Sequence, residues 1–178
     1  PGVSEKDRIE LYKLAIARSD ITEALYATRM FLRTVKNMQD EGFLSLQDGI
    51  VVSYARPFTK NLPYGALDKK WSNFANNSRL QKTHDLLIEQ RNKISAHSDQ
   101  QFCRVEIIPS GVTIIQTLPK NETVALQIST KKFDLRFFPD IEKLCFYLGS
   151  RLNEEVESIL DRLYGKMNLP NHPFDLLE

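Results

Sequence analysis

Apolar residues return every three or four positions through the first part of the chain: Ile9, Leu11, Leu14, Ile16, Ile21, Leu25, Met30, Phe31, Leu32 and Val35. That is the period of a helix with one buried face. Ser4 followed three residues later by Asp7 has the form of a capping box, so a long helix is expected over about 4–39, ended by Glu41-Gly42. The run SLQDGIVVSYARPF predicts a second helix, about 44–57. Pro57 stops it, because proline disfavours helical geometry at the residue before it. Residues 60–76, with Pro63, Gly65 and asparagines, form a connecting loop. Asn77 or Ser78 can cap a third helix, about 78–97, with Leu80, Leu87 and Ile94 on one stripe.

The period then changes. FCRVEIIPSGVTIIQT holds two β-branched runs around Pro109-Ser110-Gly111, and ETVALQIS follows a turn at Pro119 to Asn121. Strands are expected over about 102–108, 112–118 and 123–129, forming a short antiparallel sheet. From about Pro139 the helical period resumes through Ile141, Leu144, Cys145, Leu148, Leu152, Val156, Ile159 and Leu163. This predicts a last helix over about 139–165, closed by Gly165 and followed by Pro170 and Pro173. The sum is a single domain, 1–178, of mainly α (α+β) class: four helices around one core, with a small antiparallel β-sheet inserted before the last helix.

Composition changes this picture little. With 42% hydrophobic and 26% charged residues the chain is that of a soluble globular protein. Twenty-four Lys+Arg against twenty-three Asp+Glu leave a formal charge of +1, so no global field draws it to nucleic acid or to an anionic membrane. No apolar run approaches the roughly 20 residues that span a bilayer, and no leader pattern is seen; no membrane partner and a cytoplasmic location are expected. Cys103 and Cys145 lack metal-site spacing and are expected as buried thiols in a reducing compartment. Neither a metal constellation nor a glycine-rich phosphate loop is present, and no cofactor is expected.

The chemistry concentrates in QRNKISAHSD, residues 90–99. On a helix, positions 80, 84, 87, 91 and 94 lie within roughly 80° of one another, so His84 and Arg91 share the stripe of Leu80, Leu87 and Ile94. An arginine in such a seam cannot shed its charge and needs an anion. Either a carboxylate from another helix supplies it, or the seam opens into a cleft that binds phosphate. His97 stands six residues on, roughly 9 Å along the axis and roughly 120° around it. The two side chains converge only if the helix loosens near Ala96, or if two copies meet across a two-fold axis.

Arg91-Asn92, four residues and then His97 resembles the R-N-x4-H form of the signature of the HEPN superfamily, helical-bundle proteins common in prokaryotic defence and toxin systems. LLIEQRNKISAHSD, with SYARPF one helix earlier, looks most like the abortive-infection branch. The resemblance covers roughly residues 4–99 and 139–165. It implies a metal-independent endoribonuclease acting as a homodimer with a composite cleft. In that analogy His97 is general acid or base at the ribose 2′-OH, Arg91 binds the scissile phosphate, and Asn92 orients either one. The products would carry 2′,3′-cyclic phosphate ends. An antitoxin or defence partner protein would accompany such an effector.

Each of these residues also has a plain structural reading. Arg91 and Asn92 suit an ion pair and a helix-end hydrogen bond, and His97 suits the C-terminal end of the helix dipole. His84 either reaches the same cleft as a substrate-binding group or is a hydrogen-bonded interior histidine. Arg56 and Tyr54 either line a phosphate site beside Arg91 or serve as a helix-end arginine and a packed tyrosine. Ser98 and Asp99 either support His97 or only end the helix. Lys69-Lys70, Lys131-Lys132, Trp71 and Phe74 receive no site, and His172, in a proline-rich tail, is expected to be exposed. The competing function is a non-catalytic dimeric module that binds a protein partner, RNA or a nucleotide.

Overall fold

The structure is a computed structural model and describes residues 4–59, 65–74, 76–95, 103–109, 124–130, 132–166 and 176. Helix α1 spans Glu5–Thr34. Ser4 Oγ accepts from the backbone N–H of Asp7 at 3.2 Å, the N-cap bond that the Ser4/Asp7 spacing predicts, and donates to the Asp7 carboxylate at 2.6 Å. The helix stops at Thr34, short of the expected 39, with Val35 already extended. Asp40 supplies the reason: its carboxylate accepts from the backbone N–H of Lys36 at 2.6 Å and of Asn37 at 3.2 Å. Side chains that bond nearby backbone in this way compete with the helical ladder. The same two bonds hold the Asp40 carboxyl below its ordinary pKa.

Helix α2 is Phe43–Ala55, followed by a 3-10 turn at Arg56–Phe58 that contains Pro57. Helix α3 is Ser78–Ser95, and α4 is Phe138–Tyr164. The chain is mainly helical, and each helix packs on two others in the cyclic order α1, α2, α3, α4. Helices α1 and α4 run antiparallel, as three polar contacts along their seam show. Asp7 faces Arg162 at 3.7 Å, Arg18 donates to Asn153 at 3.0 Å, and Arg29 donates to Glu142 at 2.9 Å.

The core these helices enclose is aliphatic along most of its length, with Leu14, Ile21, Ile50, Leu87, Ile141, Leu144, Leu148 and Leu152 fully buried. At one end it turns aromatic. The rings of Phe31 and Phe138 stack with centroids 3.5 Å apart, and Phe43 meets both edge-on. Buried Gln47 accepts from the backbone N–H of Phe133 at 2.7 Å, tying the approach to α4 onto α2. Such a buried amide is held by satisfying a backbone donor that would otherwise be orphaned.

The expected three-stranded sheet is not seen among the described residues. Strands β1 (Cys103–Pro109) and β2 (Val124–Thr130) pair antiparallel with each other, Val105 opposite Ile128 and Ile107 opposite Leu126. The anticipated hairpin partner, 112–118, lies outside the described residues; among the described residues the first and third runs are joined. Alternation within each run sets which residues share a face, but not which run pairs with which. Among the described residues no helix is long and apolar enough to cross a membrane. Cys145 is a buried free thiol whose pKa burial pushes up to about 12; the side chain of Cys103 lies outside the description, as does His172.

Candidate functional site

Asn77 opens α3: its Oδ1 accepts from the backbone N–H of Leu80 at 3.1 Å, satisfying one of the amide donors left free at a helix start. From there the inward stripe runs through Leu80, Thr83, His84, Leu87 and Gln90, all buried. Thr83 returns its hydroxyl to the carbonyl of Arg79 at 2.9 Å. Gln90 is an interior group that the apolar period gave no reason to single out. The stripe reaches Arg91 only at its margin. Arg91 is half-buried, Asn92 is exposed, and the guanidinium lies 3.5 Å from the Asn92 side-chain oxygen, to which Nη1 donates. The end of α3 therefore presents a guanidinium and an amide side by side. His97, Ser98 and Asp99 lie outside the described residues.

His84 and Tyr54, named separately from the sequence, meet. The Tyr54 hydroxyl and His84 Nδ1 are 2.7 Å apart, joining α2 to α3. His84 is 6% exposed and Tyr54 is fully buried. The Phe58 ring centroid lies 4.7 Å from the imidazole and that of Phe74 lies 5.4 Å from it. Burial pushes the His84 pKa below its ordinary 6.5, with the Asp85 charge opposing. Burial, with the nearby Cys145 and Asp85, pushes the Tyr54 phenol well above its ordinary 10.0. In this surrounding both groups favour their neutral forms, since a charge would lose its solvation without gaining a counter-ion. His84 precedes Arg91 by two helical turns, roughly 10 Å along the axis.

Arg56 is turned elsewhere. It donates to Asp20 at 3.2 Å and to Glu23 at 3.0 Å, both on α1. Glu23 also accepts from Ser53 at 3.2 Å. Asp20 is raised in pKa by burial, with the Arg56 hydrogen bond and charge pulling the other way. A second cation, Arg79, is held by Asp140 at 2.8 Å across the α3–α4 seam. Asp140 is buried, and its other carboxylate oxygen has no partner among the described residues.

The groups brought together are thus Tyr54 with His84, Arg91 with Asn92, and Arg56 with the α1 carboxylates. Among the described residues no group of three or more His, Cys, Asp or Glu is placed to hold a metal ion. No family model, curated protein or solved structure matches the chain.

Proposed function

We propose that this chain is a HEPN-type endoribonuclease that needs no metal, works as a homodimer and serves as a toxin or antiviral effector held in check by a partner protein. The observation that carries the reading is the Arg91-Asn92-x4-His97 spacing. Its first two residues sit side by side at the solvent margin of a helix that buries one stripe, Leu80, Thr83, His84, Leu87 and Gln90, in the preceding turns. A half-buried guanidinium keeps its charge and offers a planar fork to phosphate oxygens, and an imidazole titrates near neutral pH. In this mechanism His97 takes the proton from the ribose 2′-OH as that oxygen attacks phosphorus. The P–O5′ bond breaks, the departing 5′-oxygen takes up a proton, and a 2′,3′-cyclic phosphate remains. Arg91 stabilises the charge that develops on the phosphate. On one unbroken helix Arg91 and His97 would stand roughly 120° apart, so this reading takes the alternative in which two copies meet across a two-fold axis and the Arg91 of one pairs with the His97 of the other.

The purified protein is expected to cleave single-stranded RNA in EDTA, and His97→Ala or Arg91→Ala to lower the rate by about 10²-fold or more while thermal unfolding stays unchanged. Undiminished cleavage by both variants would remove the mechanism. The formal charge of +1 favours a second reading, a non-catalytic dimeric module, because RNA affinity normally rests on neutralised phosphates. Saturable binding of a protein partner, RNA or a nucleotide with no turnover at any protein concentration is its signature.

A further inference from the structure

Helix α1 presents a second stripe, to solvent. Its inward one, from Leu11 through Ile21 to Phe31, is buried between α2 and α4. Positions 12, 16, 19, 23, 26 and 30 lie within roughly 80° of one another on the other side of the helix. There Ile16, Tyr26 and Met30 are 49%, 62% and 55% exposed, Ser19 and Glu23 are exposed, and Tyr12 is half-buried. We infer that this stripe pairs α1 with the α1 of a second copy, the two helices running antiparallel about a two-fold axis.

The order of the stripe carries the assignment. Tyr12, Ile16, Ser19, Glu23, Tyr26 and Met30 follow one another at steps of four, three, four, three and four, the spacing of a coiled-coil seam. Their chemistry runs apolar, apolar, polar, polar, apolar, apolar, so spacing and chemistry both read the same from either end. An antiparallel copy centred at the level of Ile21 therefore sets Tyr12 against Met30, Ile16 against Tyr26 and Ser19 against Glu23, each pair occurring twice. That is the self-complementarity a two-fold contact requires. A parallel copy would set Glu23 against Glu23, and like charges in an interface repel. The polar layer is also provided for. Glu23 is already held by Arg56 at 3.0 Å, so its carboxylate enters the seam as a neutralised acceptor, and the Ser19 hydroxyl is a donor for it. Apolar pairs enclose that layer on both sides along roughly 27 Å of helix. Aromatic residues and methionine are the types that interfaces favour, and an apolar stripe of this length is seldom left bare on a monomer.

Helix α1 packs on α2 and α4 and lies across the bundle from α3. The contact is thus separate from the Arg91 end and does not rest on the ribonuclease reading. The pairing of Arg91 with His97 between copies would be a second two-fold contact, and where both form the copies assemble beyond a dimer.

Sedimentation of the full chain at rising concentration tests the inference. The parent is expected to form a species with an even number of copies. Ile16→Lys and Tyr26→Asp are each expected to weaken that association about tenfold or more, leaving half the parent's mass. An equimolar mixture of the two variants is expected to recover the parent's mass, because the substituted position 16 of one copy then meets the substituted position 26 of the other as opposite charges. Mixing Ile16→Lys with Ile16→Asp is expected to recover nothing, since the antiparallel register keeps the two positions 16 apart. Thermal unfolding at dilutions where the copies are separate is expected to match the parent in every variant, because each position is exposed in the single copy. A parent that stays monomeric at all concentrations, or an unchanged mass in both single variants, would overturn the contact. Failure of the Ile16→Lys and Tyr26→Asp mixture to associate, or recovery by the two Ile16 variants instead, would overturn its antiparallel register.

Discussion

Tyr54 and His84 show how one pair of side chains joins two helices and makes stability depend on pH. Each is buried among rings, and each satisfies the other at 2.7 Å. Removing the hydroxyl by Tyr54→Phe strands the imidazole nitrogen in an apolar surrounding, at an expected cost of about 1–3 kcal/mol, readable by urea unfolding. The His84 pKa lies below its ordinary 6.5 in the folded chain, so the unfolded chain binds more protons below that value. The contribution of His84 is therefore fully present above about pH 6.5 and is lost as pH falls through that value toward the folded pKa. Unfolding free energies on either side of pH 6.5 should fall more steeply with acid in the parent than in His84→Gln; parallel curves would contradict the burial account. Tyr54 and His84 were both legible as candidates, but their meeting was not. They stand on different helices, and a period of 3.6 reports which residues face inward without reporting what they face.

The helical elements follow from the same periodicity, and their departures have local causes. Helix α1 ends at Thr34 because Asp40 captures the backbone of Lys36 and Asn37, a contest between side chain and ladder that a hydrophobic pattern does not register. The pairing of β1 with β2 likewise depends on which strands meet, whereas the alternation along each strand is the same for any partner. The meeting of Phe74 with Tyr147 was illegible for a third reason. Phe74 and Tyr147 are remote in sequence, and Trp71 and Phe74, expected as core or loop anchors, are buried in the core. Where elements do pack, the aromatic end of the core carries much of the cohesion. Phe138, fully buried between Phe31 and Phe43, should cost about 3–5 kcal/mol on truncation to Ala. Exposed Tyr26 on α1 should cost under about 0.5 kcal/mol. Similar unfolding midpoints for Phe138→Ala and Tyr26→Ala would show that the helices are not held by this core.

At the scale of the whole molecule, four helices in cyclic contact hold α3 so that its buried stripe ends beside a guanidinium and an amide at the solvent margin. A near-neutral chain gains no general attraction for RNA, so the proposed catalytic role would rest on local groups, those of the Arg91-Asn92-x4-His97 motif. Fold class alone would not choose between an enzyme and a binding module; the chemical form of the product does. The decisive measurement is end-group analysis of RNA incubated in EDTA with the parent and with His97→Ala. Fragments ending in 2′,3′-cyclic phosphate from the parent and none from His97→Ala are the result this account predicts. Fragments with 3′-hydroxyl ends, or the same cyclic-phosphate fragments from His97→Ala, would contradict it.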